Sequence, residues 1–238
     1  MSEGRGLFSS VKAVLFDYDG TLVDFESSST QALKLVAKEA TEYLREIGDF
    51  KLSLEEKMLA IAKDLDASGV YDRVLWWEKA LEELNLKADP ELLFEWTSLY
   101  WSVASKNEPY EDALDVVEYL KRKGYKLGLV TNTDGRGGNK LKRVSSFPLI
   151  SAFDLILIGG ENDLKPKPNL QIFVEACERL GGAGEWCVMI GDDPVKDTIP
   201  AKKAGILSVL VDRRGIHRNP ELYADFVVSN LKELEDLL

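Results

Sequence analysis

Residues 11–24 read VKAVLFDYDGTLVD, and the fold is decided where this stretch changes character. Val11 to Phe16 is a mainly apolar run, the pattern of a strand buried on both faces of a parallel sheet. It stops at Asp17, Tyr18, Asp19, Gly20 and Thr21, so two carboxylates stand at the carboxyl end of a strand, where open parallel sheets place their ligands. Taken alone, the Asp-x-Asp pair fits a turn with solvated carboxylates equally well. The rest of the chain decides between the two.

Downstream, strands of the same kind are expected at 126–130, 155–158, 187–190, 207–211 and, more weakly, 226–228. Helical patterns lie between them at 111–123, at 170–180 after Pro168, and at 195–204 closed by Gly205. This alternation predicts an α/β fold, a doubly wound parallel sheet with helices on both faces. Residues 25–105 break the alternation with helical signatures alone. Leu33, Val36, Ala37, Ala40, Leu44 and Ile47 recur at helical spacing, Ser53 with Glu56 forms a capping box, and Asp89 with Pro90 makes an N-cap and first helical position. Four helices fit there. They form an all-helical domain inserted into an α/β domain of residues 1–24 and 106–238, through linkers near Asp24 and Asn107 that would permit hinge-like closure.

Composition excludes several function classes. The 238 residues are 45% hydrophobic and 30% charged, which suits packed cores and not a disordered chain. Thirty Lys and Arg against 41 Asp and Glu give a net charge of −11, which argues against a nucleic-acid partner and requires local positive charge for any anionic substrate. The apolar runs are strand-length, so no membrane partner is expected. The opening MSEGRGLFSS has no signal-peptide pattern, and a cytoplasmic location is expected. Cys177 and Cys187 occur without zinc-ligand spacing and are expected as two buried core thiols.

Four segments stand at or just after predicted strands: Asp17–Thr21, Thr131 with Asn132, Lys165–Pro168, and Gly191–Asp197. VLFDYDGTLVD, LVTN, KPKP and MIGDDPVKD with AKKAG, in that order, resemble the haloacid dehalogenase superfamily of phosphohydrolases, and the helical insertion matches the family's cap position. The resemblance implies a Rossmann-like core, Mg2+ as cofactor, and a small phosphorylated metabolite as partner. It implies Asp17 as nucleophile, forming an aspartyl phosphate, and Asp19 as general acid and then base. The metal ligands it implies are the Asp17 and Asp192 carboxylates and the Asp19 main-chain carbonyl. Thr131 by its hydroxyl and Asn132 by its backbone N–H would hold a phosphoryl oxygen. The cationic clamp falls on Lys165, with Lys167 as competitor because both precede prolines. Asp197 would lie behind the metal ligands, orienting a metal-bound water or the lysine, and Asp193 is a weaker candidate for a similar place.

The residues themselves agree with this chemistry. Asp17, Asp192 and Asp197 brought close together would repel one another and raise their pKa values unless a cation lay between them, and a hard divalent ion suits all-oxygen ligation. Gly20 is expected to allow a sharp turn and Thr21 to tie the loop. The leading function is a Mg2+-dependent phosphatase; a phosphomutase shares every named residue. A haloacid dehalogenase is disfavoured because it typically lacks the second acid, here Asp19. A non-enzymatic receiver-like phospho-acceptor would carry its aspartate after the third strand. Gly135, Gly137 and Gly138 match no phosphate-cradle spacing and read as a flexible loop. Trp76, Trp77, Trp96, Tyr100 and Trp101 fit core packing better than a pocket lining.

Overall fold

The six strands form one parallel sheet, in a computed structural model that describes residues 6–48, 54–87 and 89–238. β1 (Ala13–Phe16), β2 (Lys126–Asn132), β3 (Leu155–Gly159), β4 (Cys187–Gly191), β5 (Leu207–Val211) and β6 (Phe226–Val228) take the spatial order β3-β2-β1-β4-β5-β6. All residues of β1, β4 and β5 are buried, as continuous apolar runs in a two-sided parallel sheet should be. Strand order reverses beside β1, which pairs with β2 on one side and β4 on the other. Phe16 is in register with Leu129 and Ile190. The reversal opens the crevice in which doubly wound sheets bind ligands, and it brings the ends of β1, β2 and β4 to one edge.

The helices are α1 (Phe25–Ile47), α2 (Glu55–Ala67), α3 (Arg73–Glu82), α4 (Pro90–Ala104), α5 (Glu111–Arg122), α6 (Lys140–Ser145), α7 (Gln171–Leu180), α8 (Ile199–Lys203) and α9 (Leu234–Leu237). On α7, Ile172, Phe173, Ala176 and Cys177 are buried against Leu15, Val130 and Met189 of the sheet. Gly181 ends the helix in the left-handed region. The helix expected over 195–204 divides instead into a π-helical turn, Pro194–Thr198, and α8. Pro200 has no N–H with which to continue a ladder through the junction.

Two compact units result: Met1–Asp24 with Glu108–Asn132 and Leu141–Leu238, and Phe25–Asn107 with Thr133–Lys140. In the second, α1 to α4 bury Trp76, Trp77, Trp96, Tyr100 and Trp101 in a common core. Asp89 accepts from the Glu91 N–H at 2.9 Å, with Pro90 as the first helical residue. The Ser53–Glu56 capping box lies outside the described residues. Segment 133–140, expected as a flexible loop of the α/β domain, packs instead with the helices. Arg136 pairs with Asp72, the N-cap of α3. Gly135 has a φ of +73° and lies so close that a Cβ would stand 2.6 Å from the Asp72 Cα. In the first unit, Asp24 N–H donates to Glu108 O and Tyr110 N–H to Leu22 O, both at 2.9 Å. The two linker ends therefore lie side by side.

The expectation of two free thiols is corrected. Cys177 on α7 and Cys187 at the start of β4 are joined in a disulfide, with Cα atoms 6.0 Å apart. Packing α7 on the sheet brings one sulfur to the other. The denatured protein is expected to show no titratable thiol until reductant is added. Cys177→Ser is expected to cost about 2–3 kcal/mol of stability, from the lost constraint on a short loop of the unfolded chain. Equal thermal midpoints with and without reductant would rule that contribution out. Among the described residues no helix is long and apolar enough to cross a membrane.

Candidate active site

β1 ends at Phe16, and Asp17 N–H continues the pairing by donating to Ile190 O at 2.9 Å. The Asp17 side chain thus stands at the crevice between β1 and β4, buried. The next turn needs a residue without a Cβ. Gly20 has a φ of +87°, and a Cβ there would lie 2.3 Å from Asp192 Oδ2, so the turn and the approach of Asp192 both depend on glycine. Thr21 Oγ1 donates to Asp192 Oδ1 at 3.1 Å; its hydroxyl ties the first loop to the last and not to itself. Arg213 holds the same loop from outside, with Nη2 donating to Thr21 O at 3.1 Å while both terminal nitrogens bond Asp112.

The lysine that the structure places beside Asp17 is Lys167, where Lys165 was the expected one. Lys167 Nζ stands 2.6 Å from Asp17 Oδ1 and 2.6 Å from Asp197 Oδ1, with its side chain only 3% exposed; Lys165 is exposed. Asn132 supplies the physical reason. Its Oδ1 accepts from Lys167 N–H at 2.8 Å and its Nδ2 donates to Lys167 O at 3.0 Å. β2 runs two residues further than expected, through Thr131 and Asn132, which pair with Ile158 and Gly159 of β3. That extension puts the Asn132 amide where it grips the main chain of the second lysine and turns it inward.

The carboxylates differ in surroundings. Asp17, Asp192 and Asp197 each place an oxygen within 4.8 Å of the others. Burial, then the charges of Asp17, Asp197 and Asp193, push the Asp192 carboxyl well above the usual range, against a smaller opposite pull from Thr21. For Asp197 burial is again the largest influence; Lys167 pulls the pKa down and Asp17 and Asp193 push it up, leaving it raised to about 7. Burial alone would lower the Lys167 pKa, but the charges and hydrogen bonds of Asp17 and Asp197 outweigh it and the net shift is upward. Asp193 stands beside this cluster, its N–H donating to Asp197 Oδ2 at 3.2 Å. Its Oδ1 accepts from Val195 N–H at 2.8 Å and Lys196 N–H at 3.1 Å, capping the π-helical turn that aims Asp197.

The sequence motifs do not include Arg143. Its guanidinium forks onto the Asp19 carboxylate, with Nη1 to Oδ2 at 3.3 Å and Nη2 on Oδ1. Nothing in local spacing marks it, since it lies on α6, outside all four segments. Thr131 is buried at the carboxyl end of β2.

Residues 11–205 match the family model of the haloacid dehalogenase-like hydrolases. The chain is 28% identical over 235 residues to a glyceraldehyde 3-phosphate phosphatase of Methanocaldococcus jannaschii, covering 96% of this chain and 97% of that protein. It is 27% identical over 237 residues to the N-acylneuraminate-9-phosphatase of Rattus norvegicus, covering 97% and 94%. The crystal structure of a phosphatase of the same superfamily from Thermococcus onnurineus superposes with a TM-score of 0.68 at 28% identity, covering 95% of this chain and 97% of that one.

Proposed function

The chain belongs to the haloacid dehalogenase-like hydrolases, and from that premise we propose that it is a Mg2+-dependent phosphatase of small phosphate monoesters, acting through a phosphorylated Asp17. The observation that carries the reading is the Lys167 ammonium bonded to Asp17 and Asp197 beside Asp192. Three clustered carboxylates carry more negative charge than one ammonium neutralises. Their oxygens are hard donors, and the raised Asp192 carboxyl records the unmet demand for a cation. The residues therefore fit Mg2+, which the Asp17 and Asp192 carboxylates and the Asp19 main-chain carbonyl would hold. When bound, Mg2+ supplies positive charge that offsets the repulsion between Asp17 and a phosphate.

Lys167 engages Asp17 Oδ1 and so fixes the rotation of the carboxylate, presenting the other oxygen to phosphorus. An Asp17 O–P bond forms as the ester P–O bond breaks, and Asp19 gives its proton to the leaving alkoxide. Water then attacks the same phosphorus, Asp19 takes the proton back, and the Asp17 O–P bond breaks to release inorganic phosphate. Lys167, the Thr131 hydroxyl and the Asn132 N–H neutralise the phosphoryl oxygens through both steps. The two relatives named above are phosphatases of small sugar-like phosphates by their names, which favours a phosphate ester of a small polyhydroxy metabolite here.

The test is phosphate release from a panel of such esters and p-nitrophenyl phosphate, with Mg2+ and with chelator. Release with Mg2+ and none with chelator is expected. Phosphorylated Asp17 that transfers its phosphoryl group to another sugar without free phosphate would replace the reading by a phosphomutase. Metal also has a readout apart from activity. An Asp whose folded pKa lies above its unfolded value binds its proton more tightly when folded, so its ionisation destabilises the fold as pH rises between the two values. With Asp197 at about 7 against an ordinary 3.8, and Asp192 shifted the same way, the metal-free protein is expected to lose stability from about pH 4 to pH 7. Mg2+ should restore more stability at pH 8 than at pH 5. A melting temperature in Mg2+-free buffer that is flat across this range would exclude the charge cluster.

A further inference from the structure

We propose that Arg143 is the positioning residue for the Asp19 carboxylate, fixing the direction from which it meets the leaving-group oxygen; the inference rests on the acid–base role proposed for Asp19. Arg143 lies on α6, and its side chain is 3% exposed against 20% for Asp19. The guanidinium is thus sunk in the protein, and the carboxylate it holds is the more exposed of the two. Both carboxylate oxygens are engaged, and a two-point fork sets the plane of the carboxylate as well as its place, which a single ammonium cannot do.

The helix that carries Arg143 is itself locked to the Asp17–Thr21 loop. Tyr18, between the two aspartates, donates its hydroxyl to Arg143 O at 3.0 Å in a buried bond. Ser146 Oγ donates to the same carbonyl at 2.6 Å. The Tyr18 ring lies 5.7 Å from the guanidinium carbon and edge-on to Phe147 at 6.3 Å. Tyr18 grips the main chain of the residue whose side chain grips Asp19, and the three residues close a ring. Proton transfer requires hydrogen-bond reach to one particular oxygen, and misplacement by about 1 Å costs on the order of 100-fold in rate.

A group that acts only through Asp19 should matter only where Asp19 matters. Loss of the general acid slows departure of an alkoxide and hardly affects departure of p-nitrophenolate, which leaves without a proton. The measurement is the single-turnover rate of leaving-group release with Mg2+, from p-nitrophenyl phosphate and from an alkyl phosphate of the panel above. It is made for wild type, Arg143→Ala, Arg143→Lys, Asp19→Asn, and Asp19→Asn combined with Arg143→Ala. Arg143→Ala is expected to slow the alkyl ester by about 100-fold and p-nitrophenyl phosphate by less than about fivefold, with KM little changed. Arg143→Lys, which keeps the charge and loses the fork, is expected to show the same pattern at a smaller size, and it carries the test if the alanine variant does not fold. In the Asp19→Asn background Arg143→Ala should add nothing. Equal losses on both esters in the Arg143 variants, with Asp19→Asn still selective for the alkyl ester, would overturn the inference alone. Equal losses in Asp19→Asn would overturn the acid–base reading and the inference with it.

Discussion

Asp17→Asn is expected to lower kcat by on the order of 10,000-fold or more and to abolish phosphate trapping on the protein while leaving the fold intact. The expectation for the fold follows from the charge balance of the crevice. The amide introduced by the substitution keeps a carbonyl oxygen in the place of Asp17 Oδ1, so the 2.6 Å bond from Lys167 has an acceptor. What the substitution removes is one of three carboxylates whose oxygens lie within 4.8 Å of one another. Asp17 is among the charges raising both Asp192 and Asp197, and its neutralisation relaxes both. The metal-free melting temperature should therefore hold or rise, a result opposite to that for a residue kept for stability. Acid-quenched protein incubated with labelled ester and Mg2+ should carry phosphate in the wild type and none in the variant. Turnover above about 1% of wild type would remove Asp17 from the nucleophile's role, since other groups acting as a unit rarely conserve so much.

Most of what positions this site is legible in the sequence, for a physical reason. Strands buried on both faces are continuous apolar runs, so their ends are visible wherever the run stops, as at Phe16 and Gly191. A doubly wound sheet binds at those ends. Asp17, Asp192 and Asp197 meet where that rule places strand ends. What was not legible depends on side-chain direction across tertiary distance. Lys165 and Lys167 have the same local neighbours, a proline after each. Only the two-way grip of Asn132 on the main chain of Lys167 separates them, and that requires knowing that β2 continues through Asn132. Arg143 is separated from Asp19 by 124 positions, and it belongs to no period or motif that sequence reading can use. Segment 133–140 reads as loop from its glycines; that it packs with the helices depends on Asp72, far upstream. Cys177 and Cys187 have no spacing that reveals a bridge, because their meeting is set by how α7 packs on the sheet.

Lys167→Met should separate the two lysines and report on the crevice in two ways at once. The methionine keeps most of the aliphatic stem, so packing changes little, but the ammonium that bonds Asp17 and Asp197 is lost. Removal of one partner from a buried ion pair costs about 3–5 kcal/mol when the remaining charge has no relief. Here there is relief, and its sign can be worked out. Lys167 lowers the Asp197 pKa, which nonetheless stands at about 7; without the ammonium it rises further. Near pH 5 the Asp197 carboxyl is then protonated and adds little to the loss, which falls on the bond to Asp17. At pH 8 more of the cost remains, so the difference in stability between variant and wild type should widen as pH rises. With Mg2+, kcat/KM is expected to fall by about 1,000-fold, the size found when a charge-stabilising group is taken from a transition state. Lys165→Met, at an exposed position, should stay within about twofold on both measures, as surface substitutions do. The opposite ranking, with Lys165→Met the crippled variant, would mean that the KPKP segment turns over in the working enzyme and that the bonds from Asn132 to Lys167 hold a resting arrangement.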